Sequence, residues 1–241
     1  MAVEWGSTSE FEGKTALITG GATGIGLGIA RGFAAAGVHV IAAGLPGVGA
    51  PEHGIELRDL DVTSQTQTSA LIANLDRLDI LVNCAGIIRR DDEFDMPVFE
   101  QVIDINLNGA MRLCVACRPL LRESRGAIVN IASMLTFFGG PRVPAYTASK
   151  GGIAQLTRSL AVAWAAEGIR VNAVAPGWIS TPLTAALQAD PLRSAPILAR
   201  TPMGRWGEPA DVAGPVLFLC SKAAAFVTGV ILPVDGGYSV S

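Results

Sequence analysis

The sequence predicts an α/β fold: one doubly wound parallel sheet with helices on both faces. Three observations carry that prediction. Short apolar runs alternate with longer stretches of helical period, and a glycine-rich turn joins the first run to the first helix. Hydrophobic residues make up 50% of the 241 positions and charged residues only 16%, which is material for a core covered on two sides. Strands alternating with helices pair in parallel through right-handed crossovers.

The first strand is KTALIT (14–19), and after the glycines the first helix runs over GIGLGIARGFAAAG (24–37), stopped by its last glycine. VHVIAA (38–43) is the second strand, and IELRDLDV (55–62) holds the third. Between them GLPGVGAPEHG is too rich in Gly and Pro for a helix, so this crossover is expected as a reduced loop that leaves the adenosine side of a ligand less covered. DILVN (79–83), AIVNIA (127–132), IRVNAVAP (169–176) and VILPV (230–234) complete the strands. Helices are expected over 64–76, 97–123, 146–167 and 208–223. The longest irregular stretch, 176–207, is proline-rich and follows a strand, where α/β folds seat ligands, so it is the expected substrate lid. No long linker or internal repeat interrupts the chain, which reads as one domain over 1–241 with a polar leader at 1–10.

Several functions are excluded by what is missing. A formal net charge of −3 and the lack of a basic run argue against nucleic acid as a partner. No apolar segment approaches the roughly 18 residues of a membrane span, and MAVEWGSTSE carries acids where a secretory signal needs basic and then apolar residues. A cytoplasmic protein with no membrane partner is expected. Cys84, Cys114, Cys117 and Cys220 read as reduced thiols. With His39 and His53 the only histidines, no metal site and no histidine-based triad is expected.

TGGATGIG (19–26) places Gly20, Gly24 and Gly26 between the first strand and helix, with Thr23 and Ile25 among them. Such a turn lets the backbone present helix N-terminal amides to a pyrophosphate. Asp61 and Val62 follow the third strand, and Asn83, Ala85 and Gly86 follow the fourth, all at carboxyl ends where a dinucleotide lies. The domain is therefore read as a Rossmann-type dinucleotide-binding catalytic domain. A carboxylate after the second strand binds the ribose hydroxyls of NAD, whereas the 2′-phosphate of NADP needs a cation. Here that position holds Gly44 and Leu45, which supply neither. An uncompensated phosphate is the larger penalty, so NAD is favoured, with NADP the alternative.

Tyr146 and Lys150, four apart in YTASK, project from one face at the start of a helix. A free phenol titrates near ~10, so acid/base work near neutrality needs a shift of roughly two to three units, about 3 to 4 kcal/mol. Lys150 and an oxidised nicotinamide are the expected sources of that positive charge. Ser133, after the fifth strand, can hold a substrate oxygen beside the same crevice, with Met134 next to it. Asn106 interrupts an apolar helical stripe with an amide that needs partners and can hold a water for proton relay.

These segments, together with the pair Pro176 and Gly177, resemble the short-chain dehydrogenase/reductase family over essentially the whole chain, from Phe11 to VDGGY near the end. The resemblance implies a catalytic tetrad of Asn106, Ser133, Tyr146 and Lys150, in which tyrosine passes the proton and serine steadies the carbonyl. Lysine binds the nicotinamide ribose and lowers the tyrosine pKa, while asparagine fixes the relay water. It also implies that Pro176, Gly177, Ile179 and Thr181 line the nicotinamide and that the enzyme is a homotetramer. Cys84 departs from the family's usual second asparagine, and the missing acid after the second strand blurs the cofactor choice.

AGIIRRDD, the stretch 131–150 and the run 175–209 are similar to the branch of that family acting on deoxygluconates. A small-molecule sugar acid is the substrate this implies. Arg142, Arg89 or Arg90 is the expected partner of its carboxylate, with Trp178, Leu183 and Trp206 as apolar cover. The alternatives are a family member acting on a 3-oxoacyl thioester or a small neutral polyol, and a dinucleotide-binding protein without catalysis. A broken tetrad would mark the last.

Overall fold

The computed structural model describes residues 10–241, so the expected polar leader lies outside the described residues except for Glu10. Seven parallel strands form one sheet: β1 (Thr15–Thr19), β2 (His39–Gly44), β3 (Ile55–Asp59), β4 (Ile80–Asn83), β5 (Ala127–Ile131), β6 (Arg170–Pro176) and β7 (Ile231–Val234). Their order is β3-β2-β1-β4-β5-β6-β7. The chain winds outward one way from β1 and then returns to wind the other way from β4, which opens a crevice above the carboxyl ends of these two strands.

Period-two alternation sorts the side chains. Ala16 and Ile18 point to one face, against Ile29 and Phe33 of α1 (Gly24–Ala35) and Val212 and Val216 of α8 (Pro209–Cys220). Leu17 points to the other, against Leu113 and Leu121 of α4 (Gly109–Ser124) and Leu160 and Trp164 of α5 (Pro144–Trp164). Central strands buried on both faces read as continuous apolar runs for this reason. α2 (Gln65–Ala73) starts at Ser64, whose hydroxyl accepts the Gln67 N–H.

The crossover from β2 to β3 is a helix-free loop, as its composition predicts; Arg31 of α1 holds it through two bonds to Glu52. Two expectations are corrected. The helix expected over 97–123 is broken into α3 (Met96–Ile103), a π turn (Asp104–Asn108) and α4. The π turn brings Asn106 to the backbone of Ile87, a partner that helical periodicity does not reveal. The lid is not irregular: it contains α6 (Ala185–Gln188) and α7 (Pro191–Arg200). Asp190 caps α7 by accepting the Leu192 N–H, with Pro191 at the first helical position, a start signal that the density of prolines masked. Among the described residues no helix is long and apolar enough to cross a membrane, and none of the His, Cys, Asp and Glu side chains cluster as metal ligands.

Candidate active site

The glycine turn is built by close approach. A Cβ on Gly26 would lie 2.1 Å from the Gly20 carbonyl oxygen, and one on Gly20, at φ +65°, would lie 3.0 Å from the Ala85 backbone. The turn, the start of α1 and the β4 loop are thereby pressed together with their amides near one another. Thr19 adds to this by accepting the Cys84 and Ala85 N–H groups on its hydroxyl. Gly24 opens α1 after the cap position Thr23, and its missing side chain faces the methyl of Thr181 at 3.5 Å. Gly86 lies above Asn106 and Lys150, and Gly177 is pressed onto the Asp235 backbone. Ile25, Pro176, Gly177, Ile179 and Thr181 line the large cavity beside this turn. These cradles fit an extended dinucleotide with its pyrophosphate at the α1 N-terminus.

Three of the expected cofactor residues make polar contacts within the protein, although the buried Asn83 Oδ1 has no partner there. The Asn83 amide donates to Asn130 and to the Cys114 sulfur, so it ties β4 to β5 and α4. Asp61 folds onto the amide and hydroxyl of Thr63, and the Val62 carbonyl accepts from Arg112. Gly44 ends β2, and Leu45 is exposed beside it.

Ser133 and Tyr146 line one cavity of about 560 Å³, with Lys150 buried behind them. Lys150 Nζ donates to the Ile131 carbonyl at 2.6 Å and lies 5.5 Å from the Tyr146 ring centroid. Burial lowers this lysine to about 8. Burial also pushes the Tyr146 phenol above its ordinary value, the Ser133 hydroxyl pulling it down; Cys84 and Glu93 push it up further, and Arg90 pulls it down. Within the protein alone desolvation outweighs the groups that lower the phenol, so the lowering expected from Lys150 together with an oxidised nicotinamide is not produced by the side chains by themselves. Asn106 is fully engaged: Oδ1 accepts the Ile87 N–H at 2.8 Å, and Nδ2 donates to the Ile87 carbonyl at 2.9 Å and to Ser149. Beneath these groups Asn130 donates to Thr157 of α5, a buried polar tie holding that helix to β5.

Met134, Arg142, Trp178 and Leu183 line the same cavity. Arg89 does not: its side chain is exposed and bonds the Ile88 carbonyl, and Arg90 faces the cavity in its place. The Arg142 guanidinium forms a two-point ion pair with Asp91. Sequence reasoning missed Arg193 and Arg200 of α7, Phe138 and Tyr238, all of which also line the cavity. The Arg200 guanidinium lies 4.3 Å from the Tyr238 ring centroid and 5.3 Å from that of Phe138, and Tyr238 packs edge-on against Trp178. Nothing in the local pattern of α7 marks its arginines, and the aromatic partners of Arg200 lie far away in the chain.

Residues 20–239 match the family model described as enoyl-(acyl carrier protein) reductase. The chain is 44% identical to the 2-dehydro-3-deoxy-D-gluconate 5-dehydrogenase of Bacillus subtilis (strain 168), over 94% of this chain and 95% of that protein. A crystal structure of a candidate 2-deoxy-D-gluconate 3-dehydrogenase from Agrobacterium tumefaciens, with bound NADP, superposes with a TM-score of 0.89 at 43% identity, covering 98% of this chain and 100% of that one. A candidate NAD(P)-dependent gluconate 5-dehydrogenase from Beutenbergia cavernae, with NADP at low occupancy, also gives 0.89, at 40% identity and the same coverage.

Proposed function

The chain belongs to the short-chain dehydrogenase/reductase family, and we propose that within it this enzyme interconverts a secondary alcohol and a ketone on an open-chain sugar acid such as a deoxygluconate, with a nicotinamide dinucleotide. One observation carries this reading: Ser133 and Tyr146 share a cavity with Arg90, Arg193 and Arg200, three cations that have no carboxylate partner among the described residues. A polar reacting centre and unpaired guanidinium groups in one cavity suit a hydroxylated anion of this size.

Bound across the crevice, the nicotinamide supplies the hydride acceptor for an alcohol or the hydride donor for a ketone. Gly20, Gly24 and Gly26 would hold its pyrophosphate, Pro176, Gly177, Ile179 and Thr181 would border its ring, and Lys150 would hold the adjoining ribose. The protein's own groups manage the proton. In the oxidation direction the Tyr146 oxygen takes it from the substrate hydroxyl, while the Ser133 hydroxyl donates a hydrogen bond to the oxygen becoming a carbonyl. Lys150 carries a positive charge beside that phenol below about pH 8, which favours the phenolate. Asn106 holds the Ile87 backbone under Lys150, and a water beside it passes the proton to solvent.

Arg200, with its guanidinium over the Tyr238 ring and beside that of Phe138, is the carboxylate anchor in this reading, with Arg193 two turns earlier on the same face of α7. Stacking on aromatic rings leaves the edge of a guanidinium free for a two-point bond. Arg142 is a weaker candidate because Asp91 already takes its two donors. NAD remains the favoured cofactor, since Gly44 and Leu45 bring no cation to a 2′-phosphate; the NADP seen in the two crystal structures belongs to those proteins. Exposed Phe94, Met96, Met111 and Val115 on the α3–α4 side support a homotetramer formed through apolar faces, and the composition fits the cytoplasm.

A panel of sugar acids, neutral polyols and 3-oxoacyl thioesters, assayed with NAD and with NADP by absorbance of the reduced nicotinamide, tests the reading. A sugar acid is expected to give the highest kcat/KM. A thioester in first place would move the enzyme to another branch of the family, and a strong NADP preference would reverse the cofactor assignment.

A further inference from the structure

Glu93 is a charged side chain that the reaction above does not use, yet it is only 1% exposed. A carboxylate in such a position needs strong partners. It has no cation; both of its oxygens accept backbone N–H groups, Oε1 from Arg89 and Oε2 from Tyr146, each at 2.8 Å. The second bond stands where a cap belongs. Helix α5 begins after Val143, which cannot cap, with Pro144 in its first turn, so Tyr146 is its third residue and carries the N–H that a capping side chain ordinarily satisfies. Glu93 supplies that acceptor from a segment far away in the chain, and the positive end of α5 favours its charge.

The rest of the segment reinforces the tie. Asp91 sits at φ +71°, donates its N–H to the Arg142 carbonyl at 2.9 Å and pairs through its carboxylate with the Arg142 guanidinium. The loop after β4 is thus fastened to the start of α5 at two levels, with Glu93 buried inside and Asp91 outside.

We propose that Glu93 is a positioning residue for Tyr146: it caps α5 from the β4 loop and fixes the phenol relative to Ser133 and the substrate. The proposal rests on Tyr146 being the acid/base. Its charge has a cost, since it raises the phenol's pKa, acting with Cys84 against Arg90 and the Ser133 hydroxyl, while Lys150 lies behind the ring. Removing that charge therefore lowers the phenol's pKa even as it loosens the phenol's position.

Glu93→Gln keeps the volume but turns an amide NH2 toward one of the two donors. In the full-length enzyme we expect kcat to fall at least tenfold, with KM and the dissociation constant of the cofactor changed less than threefold. The rise of kcat with pH in alcohol oxidation should begin at lower pH than in the parent. Glu93→Asp keeps the charge but shortens the reach, so it should lose kcat while leaving the pH profile where it was, and it serves if the glutamine variant does not fold. Parent-like kcat in either variant overturns the proposal. So does a loss of activity that merely tracks a loss of folded protein, with an unchanged pH profile in Glu93→Gln. Tyr146→Phe tests the underlying reading separately: if that variant turns over normally, the acid/base assignment fails whatever the Glu93 variants do.

Discussion

The two ends of the crevice are made of different material. At the glycine turn, backbone touches backbone: Gly20 against Ala85, Gly26 against Gly20, with Thr19 bonding the β4 loop. At the lid, side chains do the facing: Arg193 and Arg200 of a ten-residue helix line the cavity, with Arg200 over the Tyr238 and Phe138 rings and Trp178 packed against Tyr238. The first arrangement is stiff, because strands buried on both faces fix it, and it reads a feature every dinucleotide shares. The second rests on exposed arginines and half-buried aromatic rings that can be exchanged without disturbing the sheet. A fold of this kind can keep one cofactor and change its substrates, since recognition of the two is built from separable parts.

The sharpest break of this contrast lies between the two ends. Tyr146→Phe should lower kcat by about 10³-fold or more, within the usual reach of acid/base catalysis, and leave cofactor binding by fluorescence titration nearly unchanged. Comparable turnover in the variant would remove the phenol from the reaction. Next in size, Gly26→Ala places a Cβ 2.1 Å from a carbonyl oxygen; we expect a loss of about 3 kcal/mol by chemical denaturation, at the upper end for overpacking, and loss of cofactor binding. A variant that stays stable and binds normally would show that the backbone end is softer than argued.

Lys150→Met should abolish turnover while stabilising the protein. Burial holds the folded lysine at about 8, below its unfolded value, so the unfolded chain binds more protons between about pH 8 and 10.4 and parental stability rises across that window. The methionine variant is therefore favoured most below pH 8, by roughly 1 to 3 kcal/mol once the lost bond to Ile131 is counted, and the advantage should shrink as pH rises. A constant or inverted difference in Tm across this range would refute the burial argument. The smallest effect belongs to the lid: Arg200→Ala should raise KM roughly tenfold for a sugar acid, the worth of one charged hydrogen bond, but not for a neutral polyol. Arg142→Ala should do less, since Asp91 already accepts both donors on the outer edge of its guanidinium. The reverse ranking would return the anchor to Arg142.

What could be read along the chain follows the same division. Strands and helices, the glycine turn, the reduced crossover and the pairing of Tyr146 with Lys150 are local: each is set by residues a few positions apart, so periodicity and spacing expose them. The π turn at Asn106 escaped because its cause is the Ile87 backbone, and α7 escaped because its prolines hid a capped start. Arg89 and Arg142 looked as free as Arg200 in the sequence. Only folding decides which cation is spent, because Asp91 meets Arg142 across 51 positions and Tyr238 meets Arg200 from the end of the chain. Glu93 is the clearest case: an acid in a run of acids, distinguished by burial against the first turn of a helix 53 positions away. Charge pairing and desolvation depend on distance in space, and no local pattern contains that distance.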